Sequence, residues 1–541
     1  MQIVIPMSGQ GQRFERAGYD VPKPLIEVDG KPMIAHVIDL FPGETDFIFL
    51  CRESHLSNTQ WQMARIIGHY CPTGQIVSIP DDVTEGPVAA VLAAKDRISD
   101  NSPVVVNYCD FSCYWQWERF KAWTKQTDCD GAIPAYRGFH PHSLGSTYYA
   151  YLKTNESIVT DIQEKQPWTD RPMDEFASSG TYYFKTGALM KSACEKMVAD
   201  GLKTNQEYYV SLTYKPLLEQ KKKIHVYPLQ HFMQWGTPED LESYQQYSAA
   251  FKALTEPHKP AQQAGTVCIP MAGFGSRFKV AGFQTPKPLL PVSGKPMVIQ
   301  ALADLPKAKR QRLILREEAQ DIQHWVKSAD TVVLDEPTQG QASTVLAGLN
   351  GISEEAPLTL GACDNGALYD GEKFEQLMKN PAIDVIVWAA RGHARAKQHP
   401  TQYGWIDAEG GMIDKVSVKV PLQNPSRDPI VIGTFTFKRA LDARRAIDNM
   451  IAREAKVKGE YYLDMAVNDA IALGLRCALF EVDHYLGWGT PEEWQTFEYW
   501  QSCFHLWPSH PYRLEDDPHI SKDTLKNVTQ LVTEWEEVAV E

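Results

Sequence analysis

The chain has 541 residues, 43% hydrophobic and 23% charged, which is an ordinary balance for a soluble globular protein of roughly two to four domains. Its formal net charge of −14 argues against binding to nucleic acid or to an anionic membrane surface. Any anionic substrate must therefore be held by arginine and lysine side chains that the fold places locally.

The sequence carries no pattern typical of export or metal binding. It shows neither a basic segment ahead of its first apolar run nor about 18 consecutive apolar residues. Its ten cysteines are scattered, without a Cys-x-x-Cys pair or a zinc-like spacing. Cys109 and its counterpart Cys363 each precede an aspartate at a predicted strand end, which favours buried packing over a redox or metal role. We therefore expect a reduced, cytoplasmic protein without a membrane span.

The first predicted element is a strand that leads into a glycine-rich turn. Residues 3–6 are apolar, Gly9 and Gly11 follow, and then come Arg13 and Lys23, the latter within Pro-Lys-Pro. Glycines let backbone N–H groups approach an anion, and the N-terminus of a following helix adds partial positive charge. Arginine and lysine add full charges. The pattern predicts a phosphate-binding loop.

The same pattern returns in residues 267–297, with Gly273, Gly275, Arg277 and Lys287 at the matching positions. A single Gly-x-Gly is more often an ordinary turn with solvated cations, but its recurrence in one chain makes that alternative poor. The third glycine of a dinucleotide fingerprint and the Gly-Lys-Ser/Thr of a Walker loop are both missing.

Apolar runs rich in β-branched and aromatic residues alternate with helical segments through both copies. Residues 47–50, 104–106 and 385–388 read as strands, whereas residues 86–96 read as a helix. Alternation of this kind is typical of an α/β fold with a mainly parallel sheet covered by helices on both faces. Ligands of such sheets bind beyond the carboxyl ends of the strands.

Two further stretches are expected at that edge. Thr84 and Gly86 open a helix of small residues, as do Thr338 and Gly340; from the residues alone, a helix cap is the favoured interpretation. A lone aspartate ends a strand in each copy: these are Asp110 and Asp364. From the residues alone, each is either a Mg²⁺ ligand or a turn aspartate, which is common.

The chain is a duplication with a period of about one domain, not a solenoid. Matched positions include Arg52 with Arg316, Thr84 with Thr338, Asp110 with Asp364, Lys165 with Lys419, Glu207 with Glu460, and Trp235 with Trp488. The second copy is shorter between the counterparts of Glu53 and Thr84. We predict a first domain at 1–253, a Pro- and Gly-containing linker at 254–265, a second domain at 266–500 and a helical extension at 501–541.

The extension has no counterpart in the first copy. Residues 521–538 predict a terminal helix that docks either on the protein itself or on a partner subunit. In the second case the chain forms a homo-oligomer through this helix. One face carries Leu525, Val528, Leu531, Val532 and Trp535.

The GxGxRF…PKP pattern resembles the signature of the sugar nucleotidyltransferases, pyrophosphorylases that join a nucleoside triphosphate to a sugar phosphate. It is most similar to the branch of surface-polysaccharide synthesis, and it implies tandem Rossmann-like (GT-A-type) domains. The catalytic residues that the resemblance implies are Arg13, Lys23, Arg277 and Lys287. The nucleotide-binding residues are Gly9, Gly11, Thr84, Gly86, Gly273, Gly275, Ser276, Thr338 and Gly340. The acceptor-binding residues are Lys165, Glu207, Lys419 and Glu460, and Asp110 and Asp364 hold Mg²⁺.

Three departures from the family pattern bear on the site. Gln234 and Gly487 stand where many relatives have a second aspartate, which puts a two-carboxylate metal site in doubt. Gln12 replaces a small hydroxyl residue that the second copy keeps as Ser276. The family's Glu-Lys motif is intact at Lys165 but reads Val418-Lys419 in the second copy.

The resemblance implies transfer of a nucleoside monophosphate from CTP, UTP or dTTP to a phosphorylated sugar, polyol or amino alcohol, with release of pyrophosphate. Either both copies are catalytic, or one is a regulatory binding module. A non-catalytic nucleotide sensor predicts loss of the arginine, lysine or aspartate in one copy, and none is lost. A glycosyltransferase of similar fold predicts an Asp-x-Asp pair, which neither strand end has.

Overall fold

The computed structural model describes residues 1–538, with side chains through Thr533. The chain divides into two compact units, one of residues 1–245 with the chain end from Thr533, the other of residues 246–532. We call them the first and the second domain. The division falls within helix α9 (Pro238–Leu254), whereas the sequence predicted a linker at 254–265; strand β15 already begins at Gln262. The predicted boundaries stay a prediction.

The first domain is a mixed sheet with helices on both faces. Its strands are β1 Gln2–Met7, β2 Glu27–Val28, β3 Lys31–Pro32, β4 Asp46–Arg52, β5 Gln75–Ile79, β6 Val104–Asn107, β7 Phe111–Tyr114, β8 Gly131–Tyr136, β9 Ala150–Asn155, β10 Ile158–Glu164, β11 Phe176–Ser178, β12 Thr181–Phe184, β13 Ile224–Pro228 and β14 His231–Gln234. Its helices are α1 Gln12–Arg16, α2 Met33–Ile38, α3 Glu53–Ser57, α4 Met63–Tyr70, α5 Pro87–Ala93, α6 Trp117–Thr127, α7 Gly187–Ala199 and α8 Tyr214–Glu219.

The order of its main sheet is β11-β9-β10-β13-β8-β12-β6-β1-β4-β5. The centre is parallel, with β1 between β4 and β6. β12 runs antiparallel to β6 and β8. Side chains of β1 alternate between two cores, as the period of two in a strand requires: Val4 enters one, and Ile3 and Ile5 enter the other. This confirms a mixed α/β sheet covered on both faces.

The second domain repeats this architecture. Its strands are β15 Gln262–Pro270, β16 Pro291–Val292, β17 Lys295–Pro296, β18 Lys307–Arg316, β19 Asp330–Leu334, β20 Leu358–Leu360, β21 Asn365–Leu368, β22 Val385–Ala390, β23 Gly404–Glu409, β24 Met412–Val418, β25 Ile430–Phe437, β26 Cys477–Glu481 and β27 His484–Gly487. Its helices are α10 Ser276–Val280, α11 Met297–Asp304, α12 Gln341–Gly348, α13 Gly371–Lys379, α14 Ala394–Gln398, α15 Ala440–Ala452, α16 Leu463–Ala472, α17 Pro491–Leu506 and α18 Lys522–Val538.

The main sheet of the second domain has the order β19-β18-β15-β20-β25-β22-β26-β24-β23, again parallel around its first strand, β15. The shortening of the second copy lies after β18, where one 3-10 segment, Glu317–His324, stands in place of α3 and α4. Three buried apolar clusters fill this domain.

Residues 522–532 of the C-terminal helix α18 pack on the second domain. Val528 is 6% exposed, and a Cβ at Gly294 would stand 2.7 Å from its Cγ2 atom. Leu531, predicted on the same face, is 70% exposed at the edge of the apolar stripe, so its own domain does not cover it, and docking of this face on a partner subunit stays a prediction. The side chain of Trp535 lies outside the described residues. Within residues 1–538, none of the helices is long and apolar enough to cross a bilayer.

Candidate active sites

A cavity of about 920 Å³ lies in the first domain at the carboxyl ends of its central strands. The structure brings every candidate site residue of the first copy to its wall, namely Gly9, Gly11, Arg13, Lys23, Thr84, Gly86, Asp110, Lys165 and Glu207. Loops that are distant in sequence meet here because parallel strands end at one edge of the sheet. The placement supports a shared site.

The glycine turn adopts the same strained backbone in both domains. Gly11 has φ of 69° and Gly275 has φ of 59°, values that favour glycine, and each is the residue directly before the short helix α1 or α10. Each glycine also faces the Pro-Lys-Pro lysine: a Cβ would lie 3.8 Å from the Cβ of Lys23 and 3.2 Å from that of Lys287. The turn and the lysine are therefore packed as one unit.

The Pro-Lys-Pro lysine pairs with the strand-end aspartate in each domain. Lys23 Nζ lies 2.6 Å from Asp110 Oδ2, and Lys287 contacts Asp364 in the same way. Burial alone would lower the pKa of Lys287, but the charge of Asp364, the hydrogen bond to it and the neighbouring Cys363 and Glu493 together raise the pKa. Both ion pairs are half-buried, so each carboxylate is compensated while still open to ligands.

A second carboxylate, which the sequence reasoning missed, stands near each of these aspartates. In the first domain it is Asp240, which lines the cavity, accepts a hydrogen bond from Thr237 at 2.8 Å, and has its pKa raised to about 6 by burial. In the second domain it is Glu493: a Cβ at Gly489 would lie 3.3 Å from its Oε2 and 3.2 Å from Asp364 Oδ2.

Asp240 and Glu493 stand at matching places, three residues after a threonine that begins a helix. In the second domain Thr490 and Glu493 form a reciprocal capping box. That Thr-x-x-acid pattern is the signal from which the sequence would have shown them. Gln234, in place of the expected second aspartate, does lie beside Asp110, since a Cβ at Gly236 would stand 2.9 Å from its Nε2 and 3.1 Å from Asp110 Oδ2.

These donors fit Mg²⁺. Among the side chains described, those of residues 1–533, no group of three or more His, Cys, Asp or Glu is placed to hold a metal ion. Two carboxylates per domain are nevertheless what Mg²⁺ commonly takes from a protein when water and phosphate oxygens complete its shell. The thiols beside them are unsuited to the task, because burial raises the pKa of Cys109 and Cys363 to about 12.

The two acceptor lysines share an uncommon backbone conformation. Lys165 and Lys419 both have φ of 61°, in the left-handed region that non-glycine residues seldom adopt. The amide of each donates to a tyrosine carbonyl at a matching position, Tyr149 at 2.8 Å and Tyr403 at 3.0 Å. Conservation of this geometry across the duplication points to a functional constraint on where the ammonium group lies.

A tyrosine, also missed from sequence, accompanies each lysine. Lys165 donates to the hydroxyl of Tyr209 at 2.5 Å, and this hydroxyl in turn donates to Glu207. In the second domain, Lys419 lies over the ring of Tyr462 at 5.2 Å from its centroid. Burial, followed by the hydrogen bond to Glu207, raises the pKa of Tyr209, which keeps it a hydrogen-bond donor at neutral pH.

The loop at Thr84 and Gly86 is not a threonine-capped helix. Gly86 is the residue before α5, and no side chain caps the helix there or at Gly340. Instead, a Cβ at Gly86 would lie 2.9 Å from the backbone nitrogen of Tyr208, and at Gly340 it would lie 2.6 Å from that of Tyr461. The close approach is to protein backbone, and base recognition by this loop stays a prediction.

The residues around Tyr136 differ between the domains. In the first, Tyr136 packs with His140, His142 and Phe232, and burial lowers the pKa of His140 to about 4, so this cluster is neutral. The matching positions of the second domain include Ala390, Ala394 and Ala396, and Arg395 between them lies 3.5 Å from Glu493. The aromatic cluster of the first domain, whose Phe232 lines the cavity, therefore has no counterpart at these positions.

Comparison with known proteins agrees with this geometry. The model of the MobA-like NTP transferase domain matches residues 3–166 and residues 267–420, together more than half of the chain. The chain therefore belongs to the NTP transferase family, as two nucleotidyltransferase domains in tandem.

Among its relatives, the bifunctional protein GlmU of Rhodopseudomonas palustris is 30% identical over 221 residues, 39% of this chain and 46% of that protein. The mannose-1-phosphate guanyltransferase of Gibberella zeae is 26% identical over 294 residues, 51% of this chain and 73% of that protein. The match thus spans about half the length of GlmU. A nucleoside-diphosphate-sugar pyrophosphorylase structure from Vibrio cholerae has 21% identity and a TM-score of 0.36, covering 44% of this chain and 97% of that one.

Proposed function

We propose that the chain transfers a nucleoside monophosphate from CTP, UTP or dTTP to a sugar phosphate or a similar phosphorylated acceptor, with release of pyrophosphate, for surface-glycan synthesis. One observation carries the proposal: the arginine, the paired lysine and aspartate and the acceptor lysine line one cavity in the first domain, and the second domain keeps all four residue types. The family membership and the name of the guanyltransferase relative support a sugar-phosphate acceptor.

In this reaction a phosphate oxygen of the acceptor attacks the α-phosphorus of the nucleoside triphosphate. The new P–O bond forms as the bond from the α-phosphorus to its bridging oxygen breaks, and pyrophosphate leaves with that electron pair. The nucleophile needs no general base because a phosphate monoester is largely ionised near neutral pH. Catalysis then depends on positioning and on charge neutralisation.

The side chains divide these tasks. Arg13 or Arg277 binds the leaving pyrophosphate, and Lys23 or Lys287 neutralises the reacting α-phosphate. Lys165 or Lys419 holds the acceptor phosphate. Asp110 with Asp240, and Asp364 with Glu493, would hold Mg²⁺, which when bound neutralises phosphate oxygens. Since its substrates are cytosolic metabolites, we propose a cytoplasmic location.

The test is pyrophosphate release with Mg²⁺ across nucleoside triphosphates and phosphorylated sugars and polyols. It compares the intact chain with Asp110→Asn, Asp364→Asn and the double variant, because each substitution removes the charge of one domain's metal-binding aspartate. Two active domains predict that each single variant loses part of the activity and the double variant loses all of it.

Other outcomes select the alternatives. If one substitution abolishes turnover and the other changes only affinity, the second of these domains is a regulatory module. Tight nucleotide binding without any turnover by the intact chain would identify a sensor and contradict the proposal.

A further inference from the structure

The residue before the acceptor lysine differs between the domains. In the first domain it is Glu164, which lines the cavity and accepts a hydrogen bond from Ser211 Oγ at 2.6 Å. In the second domain it is Val418, a buried apolar side chain. By sequence, the second acceptor site therefore lacks a carboxylate that the first one has.

The structure places another carboxylate at the second site. Asp464, the counterpart of Ser211, is half-buried near the start of α16. Burial lowers the pKa of Lys419, and the charge of Asp464 is the largest influence opposing it. Conversely, burial raises the pKa of Asp464 to about 6 against the charge of Lys419. The carboxylate of Asp464 lies against Gly404, which pairs with Val418 across β23 and β24, so it stands beside the position that Glu164 holds in the first domain.

A third position has changed in step. A Cβ at Gly404 would lie 2.3 Å from Asp464 Oδ2, so only glycine leaves room for that carboxylate. The first domain has Ala150 at the matching position, beside the smaller Ser211. Glutamate, serine and alanine in one domain are thus replaced by valine, aspartate and glycine in the other. Independent drift at a structural site gives no reason for this coordination, because the valine alone leaves no carboxylate and the aspartate alone clashes with the alanine.

We propose that Asp464 replaces Glu164 as the specificity-determining carboxylate of the second domain, so that both acceptor sites are complete and each receives a hydrogen bond from an acceptor hydroxyl. This rests on the proposed function. The carboxylate beside the lysine selects an acceptor that presents a hydroxyl group near its phosphate. It disfavours an acceptor with a carboxylate of its own, because two like charges would share a half-buried site. The acceptor class is therefore a neutral hexose or polyol phosphate.

The first experiment isolates the second domain with Asp110→Asn. The probes are glucose 1-phosphate, mannose 1-phosphate, glycerol 3-phosphate and glucuronic acid 1-phosphate, with pyrophosphate release as the readout. In this background Asp464→Asn should raise the KM of the neutral acceptor at least tenfold and leave the KM of the nucleoside triphosphate within threefold. The matched control is Asp414→Asn, an exposed carboxylate on the strand that ends at Val418, which should change neither.

The second experiment transplants the arrangement into the first domain, isolated with Asp364→Asn. Glu164→Val alone should raise the acceptor KM at least tenfold. The triple variant Ala150→Gly, Glu164→Val, Ser211→Asp reproduces the residues of the second domain and should return the acceptor KM to within threefold of the parent value. A purely structural role for these residues predicts no such recovery of KM.

The outcomes are separable. If the parent chains turn over but Asp464→Asn leaves the acceptor KM unchanged, or the transplant fails to restore it, the assignment of Asp464 is overturned and the proposed function stands. If only one background turns over, the two sites are not both complete, and the inference is overturned. Preference for the glucuronic acid phosphate would overturn the acceptor class. No turnover by the unsubstituted chain would remove the proposed function and the inference together.

Discussion

The lysine proposed to bind the acceptor phosphate has an unfavourable backbone conformation in both domains. A non-glycine residue with positive φ costs on the order of 1–3 kcal/mol, and the chain has this cost at Lys165 and again at Lys419, both at 61°. The shared conformation directs the ammonium group onto a tyrosine in each domain, Tyr209 and Tyr462.

Replacing Lys165 with methionine tests its role, because it removes the charge and keeps most of the side chain. Loss of a charged hydrogen bond of about 1.5–3 kcal/mol predicts a roughly tenfold to hundredfold drop in kcat/KM of the first domain, assayed in Asp364→Asn. The drop should appear in the acceptor KM. Lys153→Met, an exposed lysine stacked 5.4 Å from the ring of Trp168, is the matched control, and an equal effect there would contradict the role.

The two acceptor carboxylates predict different pH profiles. Burial raises the pKa of Glu164 to about 7 and that of Asp464 to about 6. The charged and titratable groups facing Glu164 include Lys165, Glu207, Tyr108 and Tyr182. Only the ionised carboxylate accepts hydrogen bonds with both oxygens, so acceptor affinity should rise with pH, with a midpoint near 7 in the first domain and near 6 in the second.

The measurement is acceptor KM against pH in Asp364→Asn and in Asp110→Asn. Glu164→Gln and Asp464→Asn should each remove the corresponding midpoint and leave the contribution of the acceptor's own phosphate, whose second pKa lies near 6. Identical profiles in the two backgrounds would count against the assignment.

The sequence predicted candidate site residues that belong to short motifs, but it did not predict those that come together only when the chain folds. Arg13, Lys23 and Asp110 belong to short patterns, and the structure gathers them into one cavity. Asp240, Glu493 and Asp464 gain their neighbours only through packing between segments distant in sequence, so no local spacing marks Asp464 as the partner of Lys419. The sequence has no aspartate at Gly487, which suggested that a metal ligand was missing. In the structure the carboxylate of Glu493, in the first turn of α17, lies beside that position.

At the scale of elements, the loop before α5 is fastened to the acceptor segment. The amide of Tyr208 donates to the carbonyl of Glu85 at 2.7 Å, and that of Val88 donates to the carbonyl of Tyr208 at 3.1 Å. The second domain repeats this pairing between Gln339 and Tyr461 at 2.9 Å. The predicted nucleotide loop and the predicted acceptor segment are thus one backbone unit in each domain.

Gly86→Ala should break this unit. The new Cβ would lie 2.9 Å from the nitrogen of Tyr208, at a φ of 94° that already disfavours a side chain. Gly18→Ala is the matched control, because Gly18 has φ of 89° with no atom within 4 Å. Both variants suffer the backbone penalty of about 1–2 kcal/mol, but only Gly86→Ala adds a steric clash. The melting temperature of Gly86→Ala should therefore lie several degrees below that of Gly18→Ala, and its nucleotide binding should be weaker. Equal melting temperatures would refute the packing argument.

The C-terminal extension is held to its domain by a buried charge cluster. His519 lies 2.6 Å from Asp304, at the end of α11, and 3.2 Å from Asp517. Burial alone would lower the pKa of His519, but the charges of these two carboxylates and the hydrogen bonds to them raise it to about 10. The imidazolium form donates through both ring nitrogens.

This cluster predicts a pH-dependent stability. The folded pKa lies above the ordinary value of 6.5, so the stabilisation is complete below pH 6.5 and is lost as pH rises toward 10. Thermal unfolding followed from pH 6.5 to 9.5 should show a falling midpoint for the second domain. His519→Gln should start lower and fall less steeply. The exposed His324→Gln is the control, and a parallel decline in all three proteins would argue against the cluster.

Elements were predicted well where hydrophobic patterns were local. The run at 104–106 is the centre of β6 and the terminal helix at 521–538 begins one residue later than expected, at Lys522. The antiparallel strand β12, inserted between β6 and β8, left no such signal, because its place depends on pairing with strands far away in sequence. A helical wheel gives the direction of the Leu531 side chain around the helix axis, but it does not show how much of that face the neighbouring surface covers.

At the scale of the whole molecule, each domain has its own buried cores and its own copy of the lysine and aspartate pair that we propose for the active site. Sequence repetition alone gave this tandem organisation. The sequence also showed where the second copy is shorter, but only the structure shows that the missing residues correspond to the helices α3 and α4.

Independent sites predict independent stabilisation by nucleotide. A nucleoside triphosphate at a hundred times its Kd stabilises the domain that binds it by about 2.7 kcal/mol, which corresponds to roughly 5–10 °C for a domain of this size. In calorimetry with CTP or UTP and Mg²⁺, Arg13→Ala should abolish the shift of one transition and Arg277→Ala that of the other. If either variant abolished both shifts, the sites would not be independent.

The two domains carry the proposed acceptor carboxylate on different segments: Glu164 lies on β10, whereas Asp464 lies near the start of α16. This difference has a consequence for recombination between the two halves of the gene. Repeated sequences recombine, and a crossover between the codons for positions 164 and 211 would join one half's strand to the other half's helix. One product would carry Glu164 together with an aspartate at position 211, two like charges in one half-buried site. The reciprocal product would carry valine and serine, with no carboxylate at all. Each set of residues therefore gives a single acceptor carboxylate only when it is kept together, and a hybrid of the two halves would need a further substitution to restore one.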